Sequence, residues 1–194
     1  MLPEPIQVTL KVIDAFNQLN IPYLIGGSMA SAVQGIVRST IDADLVVDIR
    51  MEQVQPFYEM LKDQFYIDLE TIMDAIIYNR SFNLIHMDTM FKVDVFILKN
   101  RPFDLNQMQR RILQNIGDSQ TEQAYFSSAE DIILAKLEWF RMGGEVSDRQ
   151  WRDILGVLEI QSEGLDFDYL HKWAVELSIQ DLLERAVKDA DLSG

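Results

Sequence analysis

Ile6, Leu10, Ile13 and Phe16 recur at intervals of three and four residues, and this spacing predicts an amphipathic helix over residues 5–19 that ends near Asn20 and Pro22. The apolar run Tyr23-Leu24-Ile25 then meets Gly26-Gly27, which reads as a short buried strand entering a tight turn. Ser28 is placed to cap the small-residue segment Met29-Ala30-Ser31-Ala32-Val33-Gln34-Gly35-Ile36, whose lack of bulk suits a helix packed close to a sheet. A strand is predicted over residues 43–49, a helix over 52–62 and a helical stretch over 71–78. Two further strands, Ser-Phe-Asn-Leu-Ile-His-Met and Phe-Lys-Val-Asp-Val-Phe-Ile-Leu, are separated by Asp88-Thr89, a link short enough for a hairpin.

After Pro102 the pattern changes, and from Ser127 onward almost every segment has helical periodicity. Ser127 with Glu130 and Ser147 with Gln150 each fit a capping box, in which a hydroxyl and a side chain three residues later satisfy the first free backbone donors. The apolar stripes that follow carry Ile132, Ile133, Trp139 and Phe140, then Trp151, Ile154, Leu155 and Leu158, then Tyr169, Leu170, Trp173 and Leu177. The pattern predicts a mixed α/β (α+β) chain: a β-sheet flanked by helices over residues 1–120, followed by a helical C-terminal region over 121–194, with a soft boundary.

Composition narrows the classes. The chain has 194 residues, 48% of them hydrophobic and 25% charged, which suits a globular fold with a substantial core. It contains no cysteine, which excludes disulfides, thiolate metal sites and cysteine nucleophiles and makes a cytoplasmic location the expectation. No export signal and no membrane span are expected, because no apolar run approaches the ~18 residues a crossing helix needs. A formal net charge of −14 opposes sequence-independent nucleic-acid binding, which needs clustered Lys and Arg, while leaving room for a local basic groove.

Three features are candidates for chemistry. Asp42 and Asp44 are two apart in a predicted strand, so both point to one face, and adjacent carboxylates become favourable when Mg²⁺ or Mn²⁺ lies between them. The plain alternative is an exposed strand entrance. Asp94 interrupts an apolar strand and needs a partner, a metal or solvent; either that strand lies beside Asp42 and Asp44, or it is an edge strand with Lys92, Asp94 and Phe96 facing water. Gly26-Gly27-Ser28 could hold a phosphate by backbone donors or be a simple tight connection; it is neither a Walker loop nor a G-x-G-x-x-G fingerprint. A fourth oddity is Lys136, which shares its helix stripe with Ile132 and Phe140 and so either reaches a ligand or snorkels to water. His86 and His171 stand at no telling spacing and are assigned to packing or surface.

Together these parts resemble the nucleotidyltransferase superfamily of the DNA polymerase β type. Its signature is a hydrophobic residue, Gly, Gly or Ser, a spacer, an acidic-hydrophobic-acidic strand and a later third acid. Here the matching residues are Ile25, Gly26, Gly27 and Ser28, the spacer from Met29 to Ile41, then Asp42-Ala43-Asp44, and Asp94. Arg38-Ser39-Thr40 before the acids looks like the R-x-T-x-D-x-D variant of bacterial minimal nucleotidyltransferases, especially the AbiEii-like toxin group of toxin–antitoxin systems. The segments Ser128–Gly144 and Arg149–Leu158 look like that group's E-D-h-h-h-x-K-h and R-x-x-D-h stretches, where h is hydrophobic.

The resemblance implies transfer of a nucleoside monophosphate from an NTP to an acceptor hydroxyl with loss of pyrophosphate. It implies Mg²⁺ or Mn²⁺ on Asp42 and Asp44, with Asp94 as third ligand or general base. Gly26, Gly27, Ser28, Arg38, Thr40 and Lys136 are the implied nucleotide contacts. The acceptor is open among RNA, protein and small molecules, and a cognate antitoxin is the implied protein partner. The rival reading is a non-catalytic nucleotide-binding or protein-interaction module on the same fold. A metal-dependent phosphohydrolase is a third possibility, distinguished by phosphate release without nucleotide incorporation.

Overall fold

The alternating segments of the front half assemble into one mixed sheet in the computed structural model, which describes residues 3–33, 42–116 and 122–191. In chain order the first elements are α1 (Glu4–Gln18), β1 (Tyr23–Ile25), α2 (Gly27–Val33), β2 (Asp42–Val47), α3 (Met51–Leu61), β3 (Phe65–Tyr66), α4 (Leu69–Tyr78), β4 (Ser81–His86) and β5 (Lys92–Ile97). Then come α5 (Pro102–Arg110), β6 (Ile112–Asn115), β7 (Gln123–Phe126), α6 (Ala129–Met142), α7 (Asp148–Gln161), α8 (Phe167–Glu176) and α9 (Gln180–Asp189). The fold class is therefore the expected one: a mixed sheet with flanking helices, followed by helices alone. Among the described residues no helix is long and apolar enough to cross a membrane.

The chain divides into two compact units, Met1–Gly26 with Ser39–Phe126, and Gly27–Arg38 with Ser127–Gly194. The first holds the whole sheet, in the order β3-β4-β5-β2-β1-β7-β6. β2 and β5 run parallel at its centre, with β4 antiparallel to β5 and β1 antiparallel to β2. One face of these strands, Ala43, Leu45 and Val47 with Val93, Val95 and Ile97, is buried. Onto the same side pack α1, α3 and α4, joined by an aromatic column: Phe16 stacks on Phe57 at 5.0 Å, and Phe57 meets Phe82 of β4 edge-on at 6.3 Å. Rings of this size, wholly removed from water, each contribute roughly 1.5–3 kcal/mol.

The second unit is helical. α6 packs against α7, α8 and α2, and α9 against α7 and α8. Its helix starts are chemically specified. Ser147 accepts from the Gln150 N–H, as the capping pattern predicts. The α6 start is displaced by one residue from the prediction: Ser128, not Ser127, is the cap, and its hydroxyl accepts from the Asp131 N–H at 3.2 Å. Two adjacent serines each have an acid three residues on, so both registers satisfied the pattern. Glu130 is thereby freed to accept from the Asp166 N–H, and Tyr169 donates to Asp131 at 2.6 Å, tying α6 to the start of α8.

Two other departures have local causes. α2 begins at Gly27 rather than after Ser28, because Gly27 takes φ +56°, a left-handed conformation that turns the chain directly out of β1. The strand of Asp94 is not an edge: β5 is flanked by β4 and β2, yet Lys92, Asp94 and Phe96 still share the half-exposed face.

Candidate active site

The acidic face follows from strand alternation. In β2, Ala43, Leu45 and Val47 are buried, so Asp42, Asp44 and Val46 must face the other way, where they are half-buried. In β5 the same alternation buries Val93, Val95 and Ile97 and sends Lys92, Asp94 and Phe96 to that face. Parallel pairing in register sets Asp44 beside Asp94 and Asp42 beside Lys92. Neighbouring strands stand about 4.8 Å apart, so the three carboxylates share one small area of sheet. On the far side of Asp94 the register places Asn83 of β4.

Lys92 sets the electrostatics. Its Nζ lies 2.6 Å from Asp94 Oδ2, in an ion pair whose side chains are 41% and 20% exposed. The hydrogen bond to Asp94 holds the Lys92 ammonium above the usual lysine range. Partial burial opposes this, and the charges of Asp94, Asp42 and Asp44 reinforce it. The three carboxylates and the Lys92 ammonium thus share this face. Hard oxygen donors in adjacent register are the donor chemistry that suits Mg²⁺ or Mn²⁺. Among the described residues, however, no three acid or imidazole side chains converge closely enough to hold an ion in their present conformations.

The other sequence candidates separate into those described and those not. The Gly26 N–H donates to the Asp44 carbonyl at 2.9 Å, so the end of β1 is fixed to the acid strand. Gly27 opens α2, Ser28 stands in its first turn, and Ser31 Oγ donates to the Gly27 carbonyl at 2.9 Å. Arg38 and Thr40 lie outside the described residues. Lys136 sits in α6 with its ammonium 2.9 Å from Asp153 Oδ2 of α7, and both side chains are buried. A lysine on an apolar stripe thus has a carboxylate in the same unit.

Two residues were missed. Lys92 was weighed only as part of an edge strand, although its position two before Asp94 puts it on the acids' face. Asp153 lies in the R-x-x-D-h stretch, and its contact with Lys136 joins two helices that the sequence alone does not pair. His86, assigned to packing or surface, is buried, with Nδ1 3.1 Å from Thr89 Oγ1 and Nε2 3.0 Å from Lys11 Nζ.

No family model matches the sequence, and no curated protein sequence matches it. Solved structures are similar in fold. One is ANT(2'')-Ia in complex with adenylyl-2''-tobramycin, at TM-score 0.55 and 13% identity over 89% of this chain and 97% of that one. A second is a lincomycin-bound lincosamide antibiotic adenylyltransferase, LnuA, at TM-score 0.50 and 14% identity over 82% of this chain and 98% of that one. A third is an antigenic nucleotidyltransferase-like protein from Paracoccidioides brasiliensis, at TM-score 0.51 and 17% identity over 93% and 91% of the two chains. The fold is accordingly that of known nucleotidyltransferases.

Proposed function

We propose that the protein is a metal-dependent nucleotidyltransferase, moving a nucleoside monophosphate from an NTP to an acceptor hydroxyl and releasing pyrophosphate. The observation that carries the reading is the register of the central strands, which sets Asp94 beside Asp44 and on the face of Asp42, in a fold shared with nucleotidyltransferases. Asp42, Asp44 and Asp94 would hold Mg²⁺ or Mn²⁺, which when bound offsets charge on the phosphates and lowers the barrier to attack. Asp94 serves as third ligand or as the base that takes the acceptor's proton, while the acceptor oxygen bonds the α-phosphorus and pyrophosphate departs.

Gly26, Gly27, Ser28, Arg38 and Thr40 are proposed nucleotide contacts on the motif resemblance. For Lys136 the same role carries a condition: its ammonium must exchange Asp153 for a phosphate oxygen. The acceptor class is a hydroxyl on a small molecule, RNA or protein, and the antibiotic adenylyltransferases of like fold make small hydroxylated compounds the first to try. The finer assignment, an AbiEii-like toxin acting with a cognate antitoxin, rests on the R-x-T-x-D-x-D segment.

The deciding experiment supplies each labelled NTP with Mg²⁺ and a panel of acceptors to the wild type, Asp42→Asn and Asp44→Asn. Label transfer with pyrophosphate release is expected from the wild type, reduced about 10²-fold or more in either variant. A second reading, a non-catalytic binding module, draws on the ion pair that occupies Asp94. NTP–Mg²⁺ binding without any transfer would select it, and phosphate release without incorporation would mean a hydrolase.

A further inference from the structure

The acidic face carries its own cation. Lys92 and Asp94 are two residues apart on β5, Asp42 and Asp44 two apart on β2, and the parallel register makes a two-by-two array with one positive corner. The Lys92 ammonium is 2.6 Å from Asp94 Oδ2. A divalent ion on that carboxylate would sit about 2.1 Å from its oxygens. An ammonium and a divalent cation sharing one carboxylate oxygen would lie within a few ångströms of each other. Even with the screening of a protein surface, their repulsion at that range is far above thermal energy. Asp94 therefore serves one cation or the other. The Lys92 side chain is 41% exposed, so it can swing into solvent with little loss of packing.

We infer that Lys92 is a resident counter-ion of the acidic face, which holds Asp94 until a divalent cation displaces it, so that metal and ammonium compete for the same carboxylate. The inference rests on the metal-binding role proposed above for Asp42, Asp44 and Asp94. Among the described residues no three acids converge as an ion site, and Asp94 is bonded to Lys92. The competition gives an order of binding. Metal alone must overcome the ion pair, whereas metal arriving on a nucleoside triphosphate brings an anion to which the displaced ammonium can turn.

The test measures Mn²⁺ binding by the loss of the free-ion electron paramagnetic resonance signal, on the full chain, for wild type, Lys92→Met, Lys92→Gln, Lys92→Arg and Asp44→Asn. Lys92→Met and Lys92→Gln should bind Mn²⁺ about tenfold more tightly than wild type, a change worth about 1.4 kcal/mol. Lys92→Arg, which keeps the charge, should bind like wild type. With a non-hydrolysable NTP analogue present the advantage of the neutral variants should shrink, since they have no ammonium to give the phosphates. Unchanged or weaker Mn²⁺ binding by both neutral variants overturns the counter-ion role. If that result accompanies loss of binding in Asp44→Asn, the metal site stands and only the role of Lys92 falls. If wild type and Asp44→Asn bind Mn²⁺ alike, or if neither they nor the neutral variants bind it, the proposed metal site fails and the inference with it.

Discussion

Lys136 shows how one side chain can carry two incompatible expectations. As a nucleotide contact it needs a mobile ammonium; as the partner of Asp153 it closes the α6–α7 packing from inside, with both groups nearly removed from water. Removing one member of a buried pair leaves a charge without its counter-charge, at a cost of roughly 3–5 kcal/mol, whereas replacing both with apolar groups is often close to neutral. Lys136→Met should therefore destabilise the chain by that amount in urea titrations, and Lys136→Met with Asp153→Leu should recover most of it. A loss below about 1 kcal/mol for the single variant would mean that the ammonium is not committed to Asp153. Gly27 is a second residue-level constraint. At φ +56° an added Cβ is strained whatever space surrounds it, so Gly27→Ala should cost about 1–2 kcal/mol by the same measurement.

Chemically marked helix ends were legible to within a residue or two: Ser147 caps α7 as expected, the α6 cap falls one residue later than expected, and α4, expected from residue 71, begins at Leu69. The α4 N-terminus shows the chemistry of such a mark: Asp68 accepts from the Thr71 N–H at 2.7 Å and from its hydroxyl at 2.6 Å, and these bonds hold its carboxyl below the usual aspartate range. A depressed folded-state value contributes stability above the unfolded value of about 3.9, and that contribution disappears as pH falls through the lower folded value. The expected outcome is that wild type loses stability between pH 4 and 2 more steeply than Asp68→Asn, whose amide caps without titrating; parallel curves would deny the cap this role. The central strands were equally legible, since β2 and β5 alternate cleanly around Ala43, Leu45, Val93 and Val95. β6 was not, because Ile112 and Leu113 are both exposed and leave no alternation to detect. Strand adjacency was not legible either. That Asp44 faces Asp94 follows from a parallel pairing reached only after α3, β3, α4 and β4 have intervened, and no local pattern encodes it. The motif pointed to the three acids together, while the ion pair that now modifies them had gone unread although Lys92 and Asp94 are nearly adjacent.

Over the whole molecule a formal charge of −14 repels itself, and salt should relieve it. Screening acts within about 10 Å at 0.1 M, so raising NaCl from ~10 to ~150 mM should lift the melting temperature without regard to any site. Magnesium adds a separate term if the acidic face binds it in the folded state alone. At a concentration about tenfold above its dissociation constant, the added stability is about 1.4 kcal/mol, or about 3–6 °C for a chain of this size. The comparison must be made at matched ionic strength, where the general screening by the two salts is closest. Wild type should then melt higher in MgCl₂ than in NaCl, Asp44→Asn should lose the difference, and Lys92→Met should show it at a lower magnesium concentration. Because β2 and β5 belong wholly to the sheet unit, the shift should appear in the transition that unfolds the sheet. Equal melting temperatures in the two salts, across magnesium concentrations that saturate nucleotide-bound metal sites elsewhere, would reduce the acidic face to one more patch of the general negative field.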